Sequence, residues 1–269
     1  RWRLESGTMF TKMQYAGLRV RLAARRILPE RPVTRTIQGV EMRMPSGHAL
    51  DLFTAYDAAY GKNLVDLARA VATSDFVFLD IGANIGDSTL QVLDAAPGKA
   101  VCVEPDPTWL PYLEANVGAT EGIAVERSAL VPPGSTVSIA VAERDHGTTR
   151  LGPADEANAL PTIDTDALAA AYPVLADLRL IKTDTDGHDV GLLPSLAQSF
   201  AGSRPVIFFE YDPVLTALAQ PETSCAAMWT RMQELGYTSA LAWTNGGVPI
   251  HFGTPEELSA ATKSFDDPV

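Results

Sequence analysis

The stretch FVFLDIGANIGDSTL (76–90) constrains the fold more than any other part of this 269-residue chain. An apolar run ends in an acid, breaks at a turn rich in glycine and asparagine, and passes into a helix-forming segment. That is the signature of a strand feeding a helix. The same alternation continues downstream, with strands expected at 75–81, 99–104, 123–130, 178–184 and 205–211, and helices at 86–95, 107–117, from about 188, and at 222–235. Further strands are expected at 238–243 and 248–252. Alternation of this kind predicts an α/β, Rossmann-like fold, here a mostly parallel seven-stranded sheet with helices on both faces.

Residues 75–269 form the expected ligand-binding domain, and 1–74 a preamble of a basic helix, short strands and a helix. In the preamble, TIQGVEMRMPSGHALDLF reads as two short strands around its Pro-Ser-Gly turn, and Leu64, Leu67, Ala68 and Val71 recur at helical spacing. Within 107–117, Asp106 is a natural N-cap, Pro107 suits the first helical position, and Leu110, Leu113 and Val117 make a buried stripe. Pro194 predicts that the helix near 188 starts late or kinks. Between 132 and 162 the pattern loosens. PPGSTVSIAVAE suggests one strand, and RDHGTTRLGPADEANALP reads as a functional loop.

Charge is unevenly spread. The first 43 residues carry ten Lys+Arg and three Asp+Glu, and taking that +7 from the net −12 leaves −19 on the remainder. A body this acidic argues against nucleic acid as a partner. The basic segment MFTKMQYAGLRVRLAARRIL is expected to dock on its own acidic domain or on a second copy in a homodimer, in preference to an anionic membrane surface. No apolar run approaches the roughly 20 residues of an integral membrane segment, and no signal peptide is apparent. Met9 is a candidate start of the native chain. Cys102 and Cys225 lack metal-type spacing, which fits a reducing, cytoplasmic setting.

The turn DIGANIGD lies where an open parallel sheet binds ligands, at the carboxyl end of a strand. Gly82 and Gly86 allow a tight turn and close backbone approach, and the following helix presents free N–H groups. A pyrophosphate would be repelled by Asp80 before the turn and Asp87 after it, and Asn84 stands where a dinucleotide loop needs its second glycine. S-adenosylmethionine carries a sulfonium and an ammonium group that acids complement, so it is the expected cofactor. Glu104 falls 22 residues after Gly82, the spacing of an acid that hydrogen-bonds ribose hydroxyls. Position alone places Arg127, Ser128 and Ala129 at the adenine edge.

Four segments give the chain a resemblance to the FkbM family of S-adenosylmethionine-dependent methyltransferases: FLDIGANIGDSTL (78–90), VCVEPDPTWLPYLEANV (101–117), LIKTDTDGHDVGLLPSL (180–196) and VIFFEYDP (206–213). The resemblance implies a class I methyltransferase fold and O-methylation of a hydroxyl on a sugar, glycan or natural-product small molecule. The family's third motif usually reads K-I-D-V-E-G. Here it is Lys182, Thr183, Asp184, Thr185, Asp186, Gly187, with one carboxylate shortened by a methylene.

Lys182 and Asp184 are two apart on a strand and so face one side, at the ligand end. Asp184 is the expected group that orients or deprotonates the acceptor, with Lys182 stabilising developing oxyanion charge, or else the two close the strand end as an ion pair. Asp184, Asp186, Glu210 and Asp212 sit at adjoining strand ends, so Asp184, Asp186 and Glu210 are candidate ligands for magnesium. His146 in the irregular loop is a candidate general base, ahead of His188, while His48 and His251 have no motif around them. The competing readings are an NAD-dependent oxidoreductase and a non-catalytic adenosyl-binding module.

Overall fold

The structure, a computed structural model, describes residues 12–27, 30–57, 59–145, 147–244 and 247–262. The preamble consists of helix α1 (Lys12–Ile27), strands β1 (Pro32–Ile37) and β2 (Val40–Pro45), and helices α2 (Leu50–Tyr56) and α3 (Lys62–Val71). The alternating unit begins with β3 (Val77–Ile81), α4 (Asp87–Ala95), β4 (Lys99–Val103), α5 (Leu110–Val117), β5 (Ile123–Glu126) and β6 (Ala129–Val131). Next come β7 (Ile139–Asp145), β8 (Thr148–Pro153), β9 (Thr162–Asp164), α6 (Thr165–Ala171), β10 (Leu180–Thr183), α7 (Asp189–Ser199) and β11 (Val206–Phe209). Helices α8 (Pro213–Ala219) and α9 (Cys225–Glu234), strands β12 (Ala240–Trp243) and β13 (Pro249–Gly253), and helix α10 (Pro255–Thr262) complete the described chain.

Five strands form one parallel sheet in the order β11-β10-β3-β4-β5. The chain runs from β3 outward to β5 and then crosses back to β10 and β11. Strand order therefore reverses between β3 and β10, and the loops that follow these two strands flank the crevice where such sheets bind ligands. Side chains alternate across the sheet: Val77, Leu79, Ile81, Val101, Val103 and Ile181 pack on Leu168, Leu192 and Leu196 of α6 and α7. Phe76, Phe78, Ala100 and Leu180 pack on Leu64, Ala68 and Val92 of α3 and α4. Leu67 and Val71 complete the helical stripe read from the sequence. Asp80 falls in the second set of alternating positions, on the α3 and α4 side.

Several expectations are corrected. Among the described residues the sheet has five strands, not seven, because there β12 and β13 pair with each other and not with the main sheet, and β12 meets β11 through side chains, Phe208 and Trp243 having ring centroids 6.2 Å apart. The expected strand 123–130 splits after Glu126, whose carboxylate accepts the Ser128 N–H at 2.9 Å, and β6 turns away to pair with β9. The preamble hairpin turns at Gln38 and Gly39, with φ of 50° and 93°, and the Pro-Ser-Gly segment instead ends β2. Two positive φ values match the twist that a two-residue hairpin turn needs. The expected polar loop is largely strand: β8 pairs antiparallel with β7, helped by its threonines and by the cross-strand ion pair of Arg150 with Glu143 at 2.7 Å. Helix α5 starts at Leu110 with Trp109 in the cap position, while the Asp106 carboxylate accepts the Thr108 N–H at 2.9 Å in the turn just before it, and α7 runs across Pro194 without the late start its position suggests.

The preamble packs on the ligand end of the sheet. Ile37, Met42, Met44 and Leu50 share a core with Ile85 of the turn and with Trp109. Arg25 of α1 makes a two-pronged ion pair with Asp51 of α2, both distances 2.7 Å, so the basic helix is held on the preamble of its own chain. Among the described residues no helix is long and apolar enough to cross a membrane.

Candidate active site

The turn between β3 and α4 is held from below by β4. Gly82 and Ala83 both donate to the Val103 carbonyl, at 3.0 and 3.1 Å, and Gly86 N–H closes the turn on Ala83 at 2.7 Å. Gly82 has φ +73°, and a Cβ there would run into the Asp184 carbonyl. Gly86 has φ +86°, and a Cβ there would press on Leu113 and Val117. Only glycine brings these segments so close. Asn84 itself adopts a left-handed φ of 52°, which asparagine tolerates better than most residues.

Glu104 directly follows β4, is 5% exposed, and accepts the backbone N–H of Asn84 on one oxygen and of Asp106 on the other, each at 2.8 Å. Burial pushes its carboxyl up to about 7 despite these bonds. Each oxygen keeps a second lone pair for a ligand hydroxyl. Ser128 is half-buried and Ala129 is buried at the start of β6, beyond the end of β5. Asp87 opens α4, where burial and the Asp80 and Asp184 charges raise it to about 6 against the pull of Lys182.

Register places Lys182 beside Asp80 on adjacent parallel strands. Its ammonium lies 3.3 Å from Asp80 Oδ1 and 3.6 Å from Asp184, and donates to the Gly82 carbonyl at 2.9 Å. The other Asp80 oxygen accepts the Thr89 hydroxyl at 2.7 Å. Burial alone would discharge the lysine, but the Asp80, Asp184 and Asp87 carboxylates hold it protonated, well above its ordinary range. Asp184 differs from both partners in being 51% exposed, open toward the crevice end of the sheet.

The remaining acids are partly structural. Asp189 opens α7 and stitches the turn after β10, accepting the Thr183 hydroxyl at 2.6 Å and the Thr185 N–H at 3.1 Å. Asp212 caps α8 through Leu215 N–H at 2.9 Å. Burial, with the charges of Asp184 and Asp189, raises Asp186 to about 7. Burial and the surrounding acids push Glu210 well above the ordinary carboxylate range. Among the described residues no three His, Cys, Asp or Glu side chains group closely enough to hold a metal ion, so the geometry gives Asp184, Asp186 and Glu210 no support as magnesium ligands.

Residues from distant parts of the chain converge here. His48 of the preamble contacts Asn84, its Nε2 lying 3.2 Å from Asn84 Oδ1, and Asn84 Nδ2 donates to the Gly147 carbonyl at the hairpin tip. Asp106, fully buried, receives a fork from Arg144 at 2.7 and 2.8 Å and the Thr149 hydroxyl at 2.6 Å. Trp109 Nε1 donates to the same threonine at 2.6 Å. Together these bonds latch the β7–β8 hairpin over the ends of β3 and β4. Tyr60 packs beside this core, and burial together with the nearby Asp184 and Asp87 raises its phenol above the ordinary range. None of these links joins residues near in sequence, so no local motif announces them.

His146, the candidate general base, lies outside the described residues. His188 is engaged structurally, one nitrogen 3.4 Å from the Leu151 carbonyl and the other 3.2 Å from Gln220. Two open clefts, of about 550 and 350 Å³, lie off the crevice, one bordered by Pro107, Arg144 and Asn158 and the other by Gln38, Lys62 and Asp94.

A sequence profile described as "Methyltransferase FkbM domain" matches residues 80–239, more than half of the chain. No curated protein matches it. Among solved structures, the chain is similar to an S-adenosylmethionine-dependent methyltransferase from Agrobacterium tumefaciens, 11% identical with a TM-score of 0.44, covering 84% of this chain and 68% of that one. A precorrin-6y C5,15-methyltransferase from Geobacter metallireducens is 13% identical with a TM-score of 0.40, covering 67% and 73%. The O-methyltransferase TomG from Streptomyces achromogenes is 15% identical with a TM-score of 0.38, covering 71% and 76%.

Proposed function

Since the chain belongs to the FkbM methyltransferase domain family and is an S-adenosylmethionine-dependent methyltransferase, we propose that it methylates a hydroxyl oxygen of a sugar, glycan or natural-product small molecule. The observation that carries this reading is Asp184: a carboxylate 51% exposed at the strand-order reversal, fixed from behind by a buried lysine.

The residues present fit S-adenosylmethionine. Gly82 and Gly86 let the turn pack tightly against Asp184, Leu113 and Val117 at the ligand end of the sheet, and Asp87 and Glu104 are acids suited to its cations and ribose hydroxyls. Bound there, the cofactor supplies an electrophilic methyl group. Asp184 would orient the acceptor hydroxyl toward that methyl group and take up the hydroxyl proton as the methyl is transferred, the cofactor leaving as S-adenosylhomocysteine. Lys182 serves better as a positioning group than as an oxyanion partner, because its side chain is 7% exposed and its donors face Gly82, Asp80 and Asp184. Ser128 and Ala129 border the adenine, and no metal is invoked.

Calorimetric titration with S-adenosylhomocysteine, with NAD as a control, tests the cofactor assignment. Asp184→Ala should keep that binding and lose methyl transfer to hydroxylated acceptors. Full turnover in the variant would sink the assignment, and a non-catalytic adenosyl-binding module would show no turnover in either form.

A further inference from the structure

His48 stands outside the residues that match the family, 36 positions before the residue it bonds, yet it reaches into the cofactor turn. Its ring is 8% exposed and meets Trp109 edge-on, with centroids 5.7 Å apart. The hydrogen-bond pattern fixes its tautomer. Leu50 N–H can only donate, and it points at Nδ1 from 3.3 Å, so the ring proton is on Nε2. That proton is given to Asn84 Oδ1, and the Asn84 NH₂ group is thereby turned toward the Gly147 carbonyl. Burial keeps the imidazole neutral, with its pKa lowered to about 4. Space leaves little alternative: Gly147 has φ +109°, and a Cβ on it would overlap the His48 ring.

We propose that His48 is a positioning residue for the cofactor, holding Asn84 so that the turn between β3 and α4 and the tip of the β7–β8 hairpin close together over the site. It rests on the reading of that turn as the cofactor loop. The chain of contacts continues inward, because the Asn84 N–H donates to Glu104, the acid assigned to the ribose. A shift of Asn84 therefore reaches a cofactor ligand without any contact between His48 and the cofactor. Arg144 and Thr149, one register pair short of the turn, hold the hairpin on Asp106, and His48 adds a second anchor at Gly147 in the turn itself.

The test is titration of the full chain with S-adenosylhomocysteine for the wild type, His48→Ala, His48→Gln, Asn84→Gly and the double variant His48→Ala/Asn84→Gly. Amide hydrogen exchange at 147–149 is followed in each. Loss of one buried hydrogen bond should weaken binding about threefold to tenfold in each single variant. The double variant should be no weaker than the weaker single, because both remove the same link. Gln at 48 keeps an N–H for Asn84 and should recover part of the affinity. Glycine at 84 suits the φ of 52° already present, so this variant folds even if His48→Ala does not. Exchange at the tip should quicken equally in both single variants. Binding of Asn84→Gly within twofold of wild type, or additive losses in the double variant, would overturn the proposal. A wild type that does not bind S-adenosylhomocysteine would overturn the cofactor reading itself, and this inference with it.

Discussion

Replacing Lys182 by methionine removes the counter-charge of a carboxylate that has no exposure at all, while leaving a side chain of similar length in the same space. Asp80 is 0% exposed and its Oδ1 has the lysine, 3.3 Å away, as its partner. Breaking one side of a buried ion pair costs about 3–5 kcal/mol, most of it the desolvation of the charge left behind. The Gly82 carbonyl also loses its 2.9 Å donor, adding about 1 kcal/mol. For a chain of this size each kcal/mol lowers the melting temperature by about 2–4 °C, so Lys182→Met should melt roughly 10 °C or more below wild type. The double variant Asp80→Asn/Lys182→Met leaves no charge at either position, and its asparagine still accepts the Thr89 hydroxyl. It should recover most of the loss. Thermal melts of the three proteins at neutral pH decide the matter, and added salt should change little because the pair is shielded from solvent. A Lys182→Met protein within about 1 kcal/mol of wild type, or a double variant no more stable than the single, would refute the view that this lysine exists to neutralise a buried acid.

Glu104→Ala should weaken S-adenosylhomocysteine binding at least tenfold, since charged hydrogen bonds to hydroxyls are worth about 1.5–3 kcal/mol, and calorimetry reads this directly. Gly82→Ala adds a Cβ facing the Asp184 carbonyl at φ +73° and should cost about 1–3 kcal/mol and displace Asp184, whereas Gly134→Ala, with φ +76° and nothing within 4 Å, should show the smaller backbone strain alone in the same denaturant titration. Asp186 has a folded pKa of about 7, above its ordinary 3.8, so its contribution to stability is present below the ordinary value and lost as pH rises through about 7. The melting temperature of the ligand-free protein should therefore fall from about pH 5 to about pH 8, and Asp186→Asn should flatten that fall, being more stable than wild type at the alkaline end only.

Much of the turn proposed to hold the cofactor is local in the sequence, and its geometry was legible there. A run such as Val77–Ile81 must be strand, glycines at 82 and 86 mark the turn, and an acid 22 residues after Gly82 sits at the next strand end because strand, helix and strand have near-fixed lengths. The hairpin was not legible. RDHGTTRLGP has no period, and only pairing with Ile139–Asp145 makes the threonine-rich part a strand. The count of strands failed for a related reason, since β12 has strand composition but finds its hydrogen-bond partner in β13 instead of the main sheet.

The sequence by itself determined the alternation of elements, the apolar faces, the glycine turn and the acids at strand ends, because each depends on residues within a few positions of one another. Tertiary structure alone decided what those acids do. It made Lys182 a buried counter-ion, joined Asp106 to Arg144 across 38 positions, and brought His48 to Asn84 across 36, since a hydrogen bond requires proximity in space, which chain spacing does not encode.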